Sequence, residues 1–146
     1  MTTTKSQKFM GKREYHVDQE KNYSPREVYE GIRQVLADTL GMETEDINLE
    51  STLARDLGAE SIDYLDIIFR LEKKFAMKIP KSELFPELND DKYFDNNKIS
   101  DAGVDYINKN HPHLTVDEDR RLGLSEHFNV QSVVNYVESK LGERLK

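Results

Sequence analysis

An all-α fold is predicted for this 146-residue chain by three observations. Several stretches open on helix-capping residues, their apolar residues recur at three- and four-residue spacing, and two-residue hairpin signals are absent. Ser24-Pro25-Arg26-Glu27 combines a serine cap, proline at the first helical position and a glutamate that completes a capping box, so a helix starts here. Val28, Ile32, Val35, Leu36 and Leu40 form its apolar stripe, and Gly41 ends it, giving a first helix over about 25–40. Residues 42–60 read as a long ordered loop pinned by Ile47, Leu49, Leu53 and Leu57. A second helix begins at Ser61, with Ile62, Leu65, Ile68, Phe69 and Phe75 expected to point inward. Asp63 and Asp66 near its start and Lys73 and Lys74 near its end suit the helix dipole, and Pro80 stops it.

Residues 81–98 predict a short helix around Leu84, Phe85 and Leu88, followed by an acidic, turn-rich loop. Ser100 caps a further brief helix through Ala102, Val104, Tyr106 and Ile107, closed by Asn110-His111-Pro112. From His113 to His127 only Leu114, Val116, Leu122 and Leu124 are candidate anchors. Asn129 then caps a final helix bearing Val130, Val133, Val134, Val137 and Leu141. Residues 1–23 lack helical or strand periodicity and read as a flexible N-terminal tail, leaving residues 24–146 as the folded domain.

The net charge is −7, but the tail holds five Lys/Arg against three acids, so the remainder carries −9. That charge repels phosphate backbones and excludes nucleic acid as an expected ligand, while favouring partners with basic surfaces. There is no cysteine, so disulfides and thiolate metal sites are excluded, in keeping with a reducing cytoplasm. No apolar run reaches the roughly 20 residues of a membrane span, and a soluble, cytoplasmic monomer is expected.

The densest motif is Asp56-Leu57-Gly58-Ala59-Glu60-Ser61-Ile62-Asp63, a glycine-containing turn that presents a serine at a helix start among carboxylates. Taken alone, Ser61 reads as a helix cap. As a nucleophile it lacks a G-x-S-x-G elbow and any histidine nearby in the chain, so self-contained catalysis is disfavoured. An exposed serine at the positive end of a helix is, however, a good attachment point for a phosphodiester. His111-Pro112-His113 lacks a full metal-ligand set and reads as a turn, and neither Asp90-Asp91 nor Asp117-Glu118-Asp119 matches a calcium loop.

The run DLGAESIDYLDIIFRLEKKFAMKIP, residues 56–80, resembles the core segment of acyl carrier proteins, whose pattern is D-L-G-x-D-S-L-D followed by an amphipathic helix ending in F-x-x-x-I-P. Phe75, Ile79 and Pro80 stand at the matching places, while Glu60 and Ile62 replace the usual Asp and Leu. Tyr64 and the L-D-I-I-F run are similar, more narrowly, to specialised carriers of very long or unusual acyl chains, including those used for lipid A. The resemblance implies a four-helix bundle, here with an extended insertion at about 82–127 before the last helix. It implies a carrier rather than an enzyme, with 4′-phosphopantetheine from coenzyme A esterified to Ser61 and an acyl chain held on the arm's thiol. It further implies docking of a phosphopantetheinyl transferase, fatty acid synthesis enzymes and acyltransferases through Glu60, Ile62, Asp63, Asp66 and Glu72. An acyl-chain cleft is expected among Leu65, Ile68, Leu71, Phe75, Ile79, Val133 and Val137. The competing expectations are an unmodified helical interaction module and a carrier of polyketide or aminoacyl intermediates, which would use the same serine.

Overall fold

The computed structural model describes residues 23–116 and 123–144, the side chain of Arg144 excepted. The expected tail at residues 1–22 and the acidic run at 117–122 lie outside the described residues. Helix α1 (Pro25–Leu40) starts as its sequence dictates. The Glu27 N–H donates to Ser24 Oγ at 3.1 Å, the Ser24 N–H donates to Glu27 Oε1 at 2.8 Å, and Gly41 closes the helix at φ 69°. Helix α2 (Ser61–Phe75) follows the long loop, and α3 (Lys81–Leu84) is a single turn after Pro80. Strands β1 (Phe94–Asp95) and β2 (Lys98–Ile99), α4 (Asp101–Asn110) and α5 (Val130–Arg144) complete the order.

Helix α1 packs against both α2 and α5, and α3 supplies the short third helix of the bundle. Val28, Ile32 and Leu36 of α1 meet Ile67, Leu71 and Phe75 of α2 and Val130, Val133 and Val137 of α5 in one core. Each such side chain contributes about 1.5–3 kcal/mol on burial, before the entropy of ordering is subtracted. Tyr23, which the sequence assigned to the tail, instead belongs to this unit: its ring meets Phe75 edge-on with centroids 5.1 Å apart.

The structure corrects further expectations. Ile62, Leu65 and Phe69 were expected to point inward, but they are 73%, 57% and 55% exposed. Helix α2 carries two apolar stripes, and the one running through Ile67, Ile68, Leu71 and Phe75 takes the core, which leaves the other in solvent. The chain also contains a two-residue hairpin, pairing Phe94 with Ile99 and Asp95 with Lys98. Its turn is Asn96-Asn97, at φ 51° and 71°. Asparagine tolerates this left-handed region, so the pair forms the turn that an Asn-Gly would form more easily.

The segment after α3 folds back on the bundle through Leu84, Phe85, Ile99, Val104, Ile107 and Leu114, all buried. Tyr106, read with Val104 and Ile107 in the pattern of α4, stays at the rim and stacks on Tyr93 at 4.9 Å. Ser100 caps α4 by accepting from the Gly103 N–H at 3.1 Å. Gly103 is required there by close approach, since a Cβ would stand 2.5 Å from the Tyr93 carbonyl oxygen and 2.7 Å from Ile99 Cγ2.

Candidate functional site

The position of Ser61 is set by backbone hydrogen bonds that stitch the preceding loop to the start of α5. The Leu53 N–H donates to the Phe128 carbonyl at 2.9 Å, Val130 to Ser51 at 3.0 Å, and Gln131 to Leu49 at 3.0 Å. Asn129 caps α5 by accepting from the Ser132 N–H at 2.9 Å. Within the loop, Thr52 N–H donates to Asp56 Oδ2 at 2.8 Å and Asp56 N–H donates to Thr52 Oγ1 at 3.0 Å, a reciprocal pair that closes the turn. The Thr52 N–H, aided by the Thr52 hydroxyl and Arg55, holds the Asp56 carboxyl below its ordinary value. Gly58 then turns the chain at φ 75°, in the left-handed region open to glycine, and delivers Glu60 to the head of α2.

Glu60, not Ser61, occupies the N-cap, and its backbone N–H donates to Asp63 Oδ2 at 2.8 Å. The reading of Ser61 as a cap is thereby corrected. Ser61 sits at the first helical position, exposed, and among the described residues its hydroxyl makes no hydrogen bond. Of the other residues expected on the docking face, Glu60, Ile62 and Asp66 are exposed, and Asp66 pairs with Arg70 at 3.1 Å. Asp63 and Glu72 are partly covered and serve the backbone, Glu72 Oε2 accepting from the Ile79 N–H at 2.8 Å.

A cavity of about 370 Å³ opens beside Ser61. Its apolar wall is an aromatic cluster in which Tyr64 and Phe85 lie 4.8 Å apart and Phe85 and Phe128 5.2 Å apart, joined by Leu88, Phe94 and Leu124. None of the seven residues expected to form an acyl-chain cleft lines it. Ile68, Leu71, Phe75, Ile79, Val133 and Val137 are packed as core, and Leu65 is on the surface. Phe85 and Leu88 stand out in the sequence as part of the apolar cluster after Pro80, but Phe94 and Phe128, which show no helical spacing, do not. The Tyr64 hydroxyl is buried and, among the described residues, has no hydrogen-bond partner. Burial, with the Asp63 and Glu126 carboxylates, pushes it above its ordinary value, so it stays protonated and able to donate.

Two polar clusters are structural. His113 is buried with Nε2 at 3.0 Å from the Leu84 carbonyl; a carbonyl only accepts, so this nitrogen carries the proton. Beside it the Tyr136 hydroxyl donates to Glu83 Oε1 at 2.6 Å. Among the described residues no group of three or more His, Cys, Asp or Glu could hold a metal ion. No helix among them is long and apolar enough to cross a membrane.

Residues 30–90 match the family described as the phosphopantetheine attachment site. The chain is 39% identical to the acyl carrier protein of Campylobacter concisus over 56 residues, 38% of this chain and 73% of the relative. It is 36% identical to the acyl carrier protein AcpXL of Mesorhizobium japonicum over 64 residues, 44% and 69% of the two chains. A third relative, the acyl carrier protein of Clostridium acetobutylicum, is 38% identical over 56 residues, 38% of this chain and 73% of the relative. The residues present fit the 4′-phosphopantetheine of this family. An exposed hydroxyl stands at a helix head suited to a phosphate, and beside it an apolar cavity bears an orphaned hydroxyl for a polar group on the arm. By sequence, by its helical bundle and by the fit of its site to that group, the chain belongs to the acyl carrier proteins, which are carriers and not enzymes.

Proposed function

We propose that Ser61 bears the 4′-phosphopantetheine arm and that fatty acyl chains are held on it as thioesters, for a specialised branch of lipid synthesis in the cytoplasm. The observation that supports this reading most is the Ser61 hydroxyl, exposed and uncommitted at the head of α2 and at the mouth of the cavity. When bound, the group supplies the thiol to which an acyl chain is joined. The chain's own residues hold and present it: Gly58 and the Thr52–Asp56 turn aim the serine, and the helix head receives the phosphate charge.

Residues 24–146 act as one carrier domain, with 82–127 as an insertion that covers and widens the apolar space beside α2. Long or bulky cargo is the expected beneficiary, taken up as the core around Ile68, Leu71, Phe75, Ile79, Val133 and Val137 opens. The transferase and the synthetic enzymes dock on α2 through Ile62, Leu65 and Phe69, an exposed apolar stripe beside Glu60 and Asp66. Basic partner surfaces are steered to those acids, mainly as a salt-sensitive effect on encounter rate.

Intact mass after incubation with coenzyme A and a broad-specificity transferase tests the core of this reading. The native chain should gain one arm, and Ser61→Ala should gain none while keeping its circular dichroism. A modified Ser61→Ala chain, or a native chain that no transferase modifies, would overturn it.

A further inference from the structure

We propose that the cavity beside Ser61 is a berth for the arm itself, with the branched dimethyl portion of 4′-phosphopantetheine lying among Phe85, Phe94 and Phe128 and an arm amide pairing with the Tyr64 hydroxyl. This rests on the reading of Ser61 as the attachment residue.

The cavity is lined by Ser61 itself, so a group joined to that residue reaches the cavity by its near end if it turns inward. Outward from the serine the arm presents a phosphate, a carbon bearing two methyl groups, a hydroxyl, two amides and finally the thiol. An acyl chain starts only beyond the thiol, so the near half of the arm is the fitting occupant. At about 370 Å³ the space is more than twice the roughly 150 Å³ that accepts benzene. The wall chemistry follows the same order. Lys81 lines the cavity as a cation for the phosphate, which would compete for it with Glu87, a second lining residue whose Oε2 accepts from Lys81 Nζ at 3.4 Å. The aromatic rings suit the methyl groups, and the buried Tyr64 hydroxyl lacks the partner that an amide would supply. Phe94 and Leu124 lie in the insertion before the last helix, beyond residue 90 where the family match ends, and Phe128 stands at the entry to that helix. The arm therefore rests against the protein between encounters, and a partner enzyme must draw it out.

Proton NMR of the full-length protein bearing the arm tests this, because stacked rings shift nearby methyl signals. The two arm methyl signals should move upfield of, and split from, their position in coenzyme A, with nuclear Overhauser contacts to aromatic ring protons. Phe94→Ser, in the hairpin and only partly buried at the edge of the core, should return them towards the coenzyme A position, and the isosteric Tyr64→Phe should do so in part. Methyl signals at the coenzyme A position in the native protein would overturn the proposal. So would shifted signals that neither substitution moves. The attachment reading fails separately, by absence of any mass gain, and would take this proposal with it.

Discussion

Two long connections in this protein are held by different forces. Residues 41–60 join α1 to α2 and are fixed by backbone hydrogen bonds to the head of α5, by the Thr52–Asp56 pair, and by Arg33, whose Nε donates to the Ile47 carbonyl at 3.1 Å. Between α3 and α5, the described residues 85–116 and 123–129 dock by apolar side chains, with the His113 to Leu84 bond and the Tyr136 to Glu83 bond as polar fasteners. A connection stitched through its backbone holds one register, because each N–H has a single partner. One held by a few buried side chains can leave the surface as a unit and return. The first suits the aiming of a serine, the second the roofing of a cavity that must fill and empty.

The sharpest way to break this contrast is Leu53→Ala. Leu53 is fully buried, and its N–H anchors the loop on Phe128. Loss of its side chain should cost about 2–5 kcal/mol in urea denaturation and slow modification of Ser61 as the loop loosens. Gly103→Ala should act on the other connection alone. Its new methyl meets the Tyr93 carbonyl, so about 1–3 kcal/mol is lost and proteolysis within 90–116 accelerates, while Ser61 is modified at the native rate. Equal damage to modification by both substitutions would erase the distinction.

A smaller effect comes from pH. Burial, opposed by the Leu84 carbonyl, holds the His113 ring below its ordinary value of 6.5, and burial does the same at His111. The unfolded chain takes up the proton first as pH falls. Stability is therefore full above about 6.5 and declines below it, until the folded-state values are passed. The slope is at most about 1.4 kcal/mol per pH unit for one histidine. Urea midpoints at neutral and mildly acidic pH should converge in His113→Gln, and an unchanged pH dependence there would assign the decline to other groups.

Local chemistry determined the helix starts. Ser24-Pro25-Arg26-Glu27, Ser100 and Asn129 cap because a hydroxyl or amide next to free N–H groups satisfies them wherever it sits, and Gly41 ends α1 for an equally local reason. The motif around Ser61 was legible for the same cause, since its turn and helix head lie within a few residues. Tertiary structure alone decided which stripe of α2 is buried, because Ile62, Leu65 and Phe69 and the core stripe share one helical period and only the placement of α1 chooses between them. It also decided that Glu60 caps and Ser61 stays uncommitted, and that Tyr64, Phe85 and Phe128 meet although they are distant in sequence. No spacing rule encodes that meeting. It exists because the loop before Ser61 is bonded to the strand-like entry of α5, which carries Phe128 to the serine.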